Sequence, residues 1–248
     1  MRYNQEDVDC ILAFSGGCDA TAVLQYLLDN GKKPYIFHHQ WSSNPRINHL
    51  VRQASNVVEK YYDVKVVDWT HTVESNNQGF PNKSKYNEHW DKNKYLSPTL
   101  PKWSAIAMMA NYNMPWVTEI YWGMCYGGLL RRGDGDGDML MNYDRSGKKL
   151  YKIEPYGVPM DKSNFDDRHK QLFNGYLEWL RMFNIDSNFI APLGHYSKLE
   201  LYKMLPSNIK DSIVTCIKYK RTNYQAECGV CHKCRELDKV KQHYAEGW

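Results

Sequence analysis

The sequence predicts an α/β fold, a doubly wound parallel sheet covered by helices, and the first 70 residues carry most of this prediction. Strand-length apolar runs at Cys10–Phe14, Pro34–His38 and 64–67 alternate with stretches of helical spacing at 21–28 and 47–58. This alternation is typical of parallel strands joined by crossover helices. The first strand also stops at a glycine pair that opens directly into the first helix, the short connection that such units use.

The rest of the chain continues the pattern less regularly. Helical spacing returns at 104–113 and 165–183, and the apolar run at 116–122 is a fourth predicted strand. The polar residues 70–100 are expected to form a long loop. Between about 124 and 163 the periodicity is lost, which predicts an insertion.

A length of 248 residues suits one α/β domain with a small appendage. We predict a nucleotide-binding domain over 1–190, carrying the insertion, and a small helical zinc-binding module over 191–248. The 32 basic and 28 acidic residues leave a formal charge of +4, which gives no strong nucleic-acid signal. The 42% hydrophobic content excludes global disorder.

Several features of the sequence predict a cytoplasmic protein without a membrane anchor. No apolar run approaches the roughly 20 residues that span a bilayer. The first nine residues carry charges where a secretion signal needs an apolar segment. The seven cysteines are an odd number and unevenly placed, with four of them after position 215, which suits a metal site in a reducing compartment better than a disulfide framework.

The first candidate site is the turn between the first strand and the first helix. Its residues are Ser15, Gly16, Gly17, Cys18, Asp19, Ala20 and Thr21. Glycines let the backbone approach a ligand, and the amides and dipole of a helix N-terminus favour phosphate. Ser15 and Thr21 can add hydroxyl donors, and Asp19 can ligate Mg²⁺ or orient the loop. The alternative is a strand-to-helix turn that binds no ligand.

The second candidate site is a cysteine cluster near the carboxyl terminus. Its members are Cys216, Cys228, Cys231 and Cys234. Thiolates two residues apart can hold one tetrahedral ion from a tight turn, which Gly229 supplies, and a distant fourth completes a closed Zn²⁺ site with a folding role. An iron–sulfur cluster is the chemical rival, and free thiols are the remaining alternative.

The Ser-Gly-Gly-x-Asp sequence at residues 15–19 resembles the pyrophosphate loop of the PP-loop ATPases, also called N-type ATP pyrophosphatases. The resemblance implies their adenine-nucleotide alpha-hydrolase-like fold and cleavage of ATP between its α and β phosphates. Pyrophosphate would lie on the loop and AMP would be transferred to a carboxylate, amide or carbonyl oxygen. Where that superfamily has Ser or Thr after the aspartate, this chain has Ala20, with Thr21 one step later.

The loop together with the cysteine cluster resembles the 7-cyano-7-deazaguanine synthase family. Residues 191–200 are similar to its Pro-Leu…Lys-x-Glu segment, and 166–168 to its Asp-Cys-Arg element. Gln40 and Arg46 lie near the position of its Tyr-Gly-Gln-Arg stretch. We assign the following residues, at or beyond predicted strand ends, to nucleotide binding: His38, Gln40, Arg46 and Gly123. Residues 101–104 and the insertion depart from the family, and both changes fall where the nucleobase is expected.

The resemblance implies a homodimer that converts 7-carboxy-7-deazaguanine and ammonia to the nitrile with ATP and Mg²⁺, or uses the same chemistry on a related 7-deazaguanine. Ser15 and Asp19 would act at the phosphates. Lys198 is a candidate for charge compensation at phosphorus, and an exposed lysine in a first helical turn is the alternative. Arg168 is a candidate for bidentate pairing with a substrate carboxylate, against a surface salt bridge with a neighbouring aspartate.

Two other functions fit parts of the pattern. A PP-loop thiolase or amidase that modifies a nucleobase or transfer RNA requires a catalytic cysteine outside the zinc set, for which Cys125 is the weak candidate. A non-catalytic, zinc-containing protein that binds nucleotide or nucleic acid would explain Ala20, but not the intact Ser-Gly-Gly-x-Asp sequence.

Overall fold

The described part of the chain is built around one parallel β-sheet. A computed structural model describes residues 6–38, 45–68, 107, 110–123, 125, 181, 184–214, 229 and 232–247. The strands are β1 (Cys10–Phe14), β2 (Pro34–His38), β3 (Val66–Asp68), β4 (Glu119–Trp122) and β5 (Asn188–Ile190). The helices are α1 (Cys18–Asp29), α2 (Pro45–Tyr62), α3 (Lys198–Met204), α4 (Ser207–Lys210) and α5 (His232–Ala245).

The five strands are parallel and lie in the order β3-β2-β1-β4-β5. Leu12 in the central strand is in register with Ile36 on one side and Tyr121 on the other. The chain therefore builds one half of the sheet outward from β1 and then crosses to the other side of β1. The predicted parallel α/β fold is confirmed, and its topological switch point lies between β1 and β4.

Burial on both faces explains why β1 is a continuous apolar run rather than an alternating one. Its residues Cys10, Ile11 and Leu12 are fully buried, and Phe14 is 2% exposed. Central strands of parallel sheets are covered by helices on both sides, so they carry apolar residues at consecutive positions. Helix α1 begins at Cys18, three residues before the helical spacing predicted, because the extended Gly17 ends the turn there.

The remaining strands differ from the predicted ones at their ends. Strand β4 is shorter than the predicted 116–122 because Trp116 lies in a turn, where its indole nitrogen donates to the carbonyl of Val8 at 3.0 Å. Strand β3 covers Val66–Asp68 rather than 64–67. Strand β5 was not predicted, since three residues are too few to show a period.

One hydrophobic cluster joins the sheet to the carboxyl-terminal helices. It contains Leu12 of β1, Leu24 of α1, Leu201 of α3, and Leu237 and Val240 of α5. The described residues of 191–248 therefore share a core with the predicted nucleotide-binding domain. Most of the predicted insertion at 124–163 lies outside the described residues, as does nearly all of the helix predicted at 165–183.

The helices of the described segments were compared with the requirements for crossing a membrane. No helix among them has both the length and the apolar composition that crossing a bilayer requires.

Candidate functional site

The candidate phosphate turn lies at the carboxyl end of β1, beside the switch point of the sheet. Ligands of open α/β sheets bind at such a crevice, outside the carboxyl ends of the strands. Gly16 has a φ of +74°, a left-handed conformation in which glycine is not strained. Gly16 is buried, whereas the preceding Ser15 is exposed. The turn therefore presents the Ser15 hydroxyl to solvent at the place where the sequence predicted a phosphate contact.

Gly123 follows β4 and packs its backbone against the first turn of α1. A Cβ at Gly123 would lie 2.4 Å from the backbone nitrogen of Ala20 and 2.6 Å from the carbonyl carbon of Asp19. No side chain fits at this distance, so glycine is required. Gly123 therefore fixes how closely the end of β4 approaches the helix N-terminus, which is a steric role beside the predicted role in nucleotide binding.

The Thr21 hydroxyl is directed back into the helix. It donates to the carbonyl of Gly17 at 2.8 Å, and the Thr21 amide donates to the same oxygen at 3.0 Å. Thr21 is 1% exposed. Since a hydroxyl has one proton to donate, Thr21 stabilises the start of α1, and Ser15 is the hydroxyl of this turn that faces solvent.

The most informative contact of the site is an ion pair between the Nζ of Lys198 and the Oδ1 of Asp19. The two residues are 179 positions apart in the chain. The Lys198 side chain is 9% exposed and that of Asp19 is 21% exposed. The alternative of an exposed lysine on a first helical turn is therefore wrong, because α3 directs Lys198 inward onto α1.

A capping box determines where α3 begins and so where Lys198 lies. The Ser197 hydroxyl accepts from the amide of Glu200 at 3.3 Å, and the Glu200 carboxylate accepts from the amide of Ser197 at 2.7 Å. Such reciprocal caps define the first turn of a helix. Lys198 is consequently the first residue of α3. A cation there opposes the helix dipole, and the carboxylates of Asp19 and Glu200 offset this cost.

Lys198 carries its charge permanently at neutral pH. Burial is the largest single effect and lowers the pKa of Lys198, but Asp19 and smaller contributions from its other neighbours together outweigh burial and raise the pKa well above the ordinary value. A buried ammonium group therefore stands at the N-terminus of α1. Both the helix dipole and this cation favour a negatively charged ligand.

Cys18 lies in the variable position of the turn and is buried, at 1% exposure. Burial, and then the charge of Asp19, raise the pKa of the Cys18 thiol strongly. A neutral thiol is a poor nucleophile, so Cys18 is suited to packing rather than to chemistry. Cys125 is half-buried and packs against the same hydrophobic cluster.

His38 ends β2 next to the turn. Its ring is 5% exposed, and Nδ1 donates to the carbonyl of Phe14, the last residue of β1, at 3.1 Å. This hydrogen bond requires a proton on Nδ1 and joins the carboxyl ends of two neighbouring strands. Of the other predicted residues, Arg46 lies in α2 with its side chain outside the described part, and Gln40 and Arg168 are outside it entirely.

Two residues of the site were missed in the sequence. The amide of Val214 donates to the carbonyl of Gly16 at 2.9 Å, so the segment just before the cysteine cluster is attached to the turn. Glu236 in α5 is 3% exposed, and its charge acts on Lys198. No sequence signal indicates Val214. Glu236 precedes Leu237 and stands one helical turn before Val240 on an apolar stripe, an unusual place for a carboxylate.

The predicted metal sites are only partly within the described residues. Three of the predicted zinc ligands, Cys216, Cys228 and Cys231, lie outside them, and Cys234 is 2% exposed. Across the segments that are described, no three His, Cys, Asp or Glu side chains group as a metal site. Gly229 has a φ of +66°, which fits the turn predicted between the cysteines. Zinc binding stays a prediction.

Asp19 fits the chemistry of the predicted Mg²⁺ ligand. Its Oδ1 pairs with Lys198, and a carboxylate has a second oxygen that can ligate a hard cation at the same time. The site thus combines a glycine turn, an exposed hydroxyl, a helix N-terminus, a carboxylate and a buried cation. These are the groups that hold and neutralise the phosphates of a nucleotide.

Comparison with protein-family models finds no match to this chain, and neither does a search of curated proteins. The geometry of the site and the motifs of the sequence are therefore the basis for inferring a function.

Proposed function

We propose that this chain is an ATP-dependent ligase that holds the β- and γ-phosphates of ATP on the Ser15–Gly16–Gly17 turn and transfers AMP to a carboxylate. The observation that carries the proposal is the buried Lys198, paired with Asp19 beside the turn. A glycine turn alone is common. Burial of a charged lysine at the helix N-terminus that follows the turn is costly, and the binding of an anion there explains it.

The charges of the site match the leaving group of the proposed reaction. Cleavage between the α and β phosphates leaves pyrophosphate, whose negative charge grows in the transition state. The α1 amides and Lys198 can stabilise that charge without reorganisation, because the helix and the ion pair already hold them in place. Asp19 would share a Mg²⁺ ion with the phosphates, and the ion would neutralise further charge.

The reaction follows from the family that the motifs resemble. A carboxylate oxygen of 7-carboxy-7-deazaguanine attacks the α-phosphorus, the bond from this phosphorus to the bridging oxygen breaks, and pyrophosphate leaves. Ammonia then attacks the carbonyl carbon and expels AMP, which gives an amide. A second ATP adenylates the amide oxygen, and loss of AMP and a proton leaves the nitrile. A related 7-deazaguanine is the other substrate of this proposal.

The four cysteines have a structural role in the proposed enzyme, as ligands of one Zn²⁺ ion. A closed four-sulfur site has no open position for substrate, so zinc would contribute to folding. Elemental analysis of purified protein should find one zinc per chain. Folded protein that contains no zinc, or that contains iron and sulfide instead, would contradict the assignment of the four cysteines to a zinc site. Size-exclusion chromatography with light scattering tests the expected homodimer.

Measurement of pyrophosphate and AMP tests the proposed chemistry. ATP with 7-carboxy-7-deazaguanine and ammonium should give both products, and mass spectrometry of the base should show the amide and then the nitrile. Omitting the base should abolish release. ADP and orthophosphate instead would mean cleavage between the β and γ phosphates and would contradict the proposal, as would the absence of any nucleotide turnover.

Variants of the turn and of α3 test which residues contribute to ATP binding and to pyrophosphate release. Lys198→Met should lower pyrophosphate release about 100-fold, the typical effect of removing one group that stabilises transition-state charge. Lys203→Met is the matched control, since Lys203 is exposed on the same helix. Ser15→Ala changes an exposed side chain, so it should leave folding intact and weaken ATP binding. Equal activity of the Lys198 and Lys203 variants would contradict the assignment.

A further inference from the structure

The chain that follows α4 contacts the phosphate turn through its backbone. The amide of Val214 donates to the carbonyl of Gly16 at 2.9 Å. A Cβ built on Gly17 would lie 3.7 Å from the carbonyl oxygen of Val214. The backbone of Val214 therefore lies directly against both glycines of the turn, and this contact joins residues that are far apart in the chain.

The segment that supplies this amide is itself held by the helices around it. The amide and the hydroxyl of Ser212 both donate to the carbonyl of Ile209, at 2.9 and 2.8 Å. Ile213 is 6% exposed and belongs to the hydrophobic cluster that includes residues of α1, α3 and α5. In α4, the Nζ of Lys210 lies 4.0 Å from the ring centroid of Tyr244 in α5, a favourable cation–π distance. The amide donor thus reaches the turn from a packed part of the protein.

The Gly16 carbonyl and the Gly17 N–H belong to one peptide group, so the direction of one sets the direction of the other. In a planar trans peptide these two bonds point in opposite directions. Because the Gly16 carbonyl points to Val214, the Gly17 N–H points away from it. Gly17 is the N-cap of α1, and N-cap amides have no partner within a helix. The Gly17 N–H is therefore one of the donors that a phosphate at this end of α1 would meet.

Two glycines in succession make the orientation of this peptide group easy to change. Turning the peptide over would change the φ of Gly17 from −85° to about +95°, and glycine adopts positive φ about as readily as negative φ. The Gly16 carbonyl oxygen would then face the phosphate and repel it. The local sequence permits both orientations, and the hydrogen bond from Val214 favours the one that presents the N–H.

We propose that the Val214 amide positions the Gly17 N–H for phosphate binding by holding the Gly16 carbonyl on the opposite side of their shared peptide group. This inference rests on the proposed function of the turn. The Gly17 N–H contacts the phosphate, and Val214 acts through it, so Val214 is a positioning residue. A donor that is already oriented binds an anion more tightly than one that must first turn toward it.

An amide-to-ester change at Val214 tests this role, because it removes the donor and keeps the side chain. The α-hydroxy acid of valine, introduced by nonsense suppression, puts an ester oxygen in place of the N–H. Isothermal titration of the full chain with magnesium pyrophosphate should show an affinity about tenfold lower, the size of one hydrogen bond to a charged group. Val214→Ala keeps the amide, so it should change the affinity less than about twofold.

The same ester change at Ser212 is the matched control for stability. It removes an amide whose bond to the Ile209 carbonyl is also 2.9 Å but does not reach the turn. Both esters should lower the thermal unfolding midpoint by similar amounts, and only the Val214 ester should weaken pyrophosphate binding. Equal losses of affinity would mean that loosening of the segment is the cause and would overturn the inference.

A rescue variant tests whether the orientation of the peptide group is what the Val214 ester changes. Gly17→Ala keeps the observed φ of −85° accessible, but it disfavours the positive φ that the turned peptide requires. In a Gly17→Ala background, the Val214 ester should therefore lower the affinity less than about threefold. A loss that stays tenfold in this background would show that the ester acts in some other way, contrary to the inference.

Binding by the wild-type chain separates this inference from the proposed function. If the wild type binds pyrophosphate and the Val214 ester binds it equally well, the inference is wrong and the proposed function stands. If the wild type neither binds pyrophosphate nor releases it from ATP, the proposed function fails and the role of Val214 fails with it.

Discussion

The ion pair between Lys198 and Asp19 allows the sharpest test of the structure, because its two residues come from distant parts of the chain. Lys198→Met removes the cation and keeps a long apolar chain, and Asp19→Asn removes the anion and keeps the shape. Each single variant leaves a charged partner in a site where the side chains are 9% and 21% exposed. The double variant removes both charges and leaves neither group without its partner.

Burial determines the expected magnitude. Breaking a buried pair typically costs 3–5 kcal/mol, and the partial exposure of Asp19 places this pair at the low end, about 3 kcal/mol for each single variant. The double variant should cost about 4 kcal/mol, so the coupling between the two residues should be about 2 kcal/mol. For a chain of this size, 3 kcal/mol corresponds to a midpoint roughly 6–12 °C lower.

Urea denaturation of the four proteins in this cycle measures the coupling. A matched control is available in Lys32 and Glu119, whose Nζ–Oε2 distance is 3.0 Å but whose side chains are 36% and 35% exposed. Their coupling should stay below about 1 kcal/mol. If the Lys198–Asp19 coupling is no larger than that of the exposed pair, the folded protein lacks the buried cation that the proposed site requires.

The pH dependence of the coupling has a definite sign. The pKa of Lys198 is raised in the folded state, above the 10.5 of an ordinary lysine. A raised lysine pKa means that the stabilisation is complete below the unfolded value and is lost only as pH rises through the folded value. The coupling should therefore be the same at pH 7 and pH 9. A loss of coupling within that interval would contradict the raised pKa.

Two further predictions concern the turn. Gly123→Ala should destabilise the protein by about 3 kcal/mol and weaken ATP binding, since its Cβ would meet the Ala20 nitrogen at 2.4 Å. Gly17→Ala is the control and should cost less than about 1 kcal/mol, because the nearest atom to its Cβ is the Ser15 hydroxyl oxygen at 3.4 Å and the φ of Gly17 is −85°. Similar losses in urea denaturation would contradict this. Native protein treated with iodoacetamide at pH 8 should leave Cys18 unlabelled, because burial raises its pKa; peptide mapping that finds Cys18 modified as fast as Cys125 would refute this.

Local patterns in the sequence were sufficient to predict the main strands and helices of the fold. Consecutive apolar residues in β1 and β2 reflect burial on both faces, and helical spacing in α2 reflects a buried stripe that includes Ala54 and Val58. Helix α1 is buried at the consecutive positions 20–24. The short β5 escaped prediction because its three residues contain too few side chains for a period. Its place at the sheet edge comes from pairing with β4, which is a long-range interaction.

Only part of the candidate site could be predicted from the sequence. The glycine turn was evident because its chemistry lies in consecutive residues. The sequence left open whether Lys198 is exposed, and the packing of α3 against α1 decided that it is buried. Val214 was missed because its hydrogen bond to Gly16 joins residues far apart in the chain. Glu236 was missed because its burial depends on how α5 packs against α3.

By itself, the sequence determined which segments form strands and helices and where a phosphate-binding turn is expected, because these properties depend on residues close together in the chain. Tertiary structure alone decided which distant groups surround that turn. Only packing between distant segments makes Lys198 a buried cation and Gly123 a steric requirement. The physical reason is that burial and charge compensation are properties of neighbours in space, and the folded chain sets those neighbours.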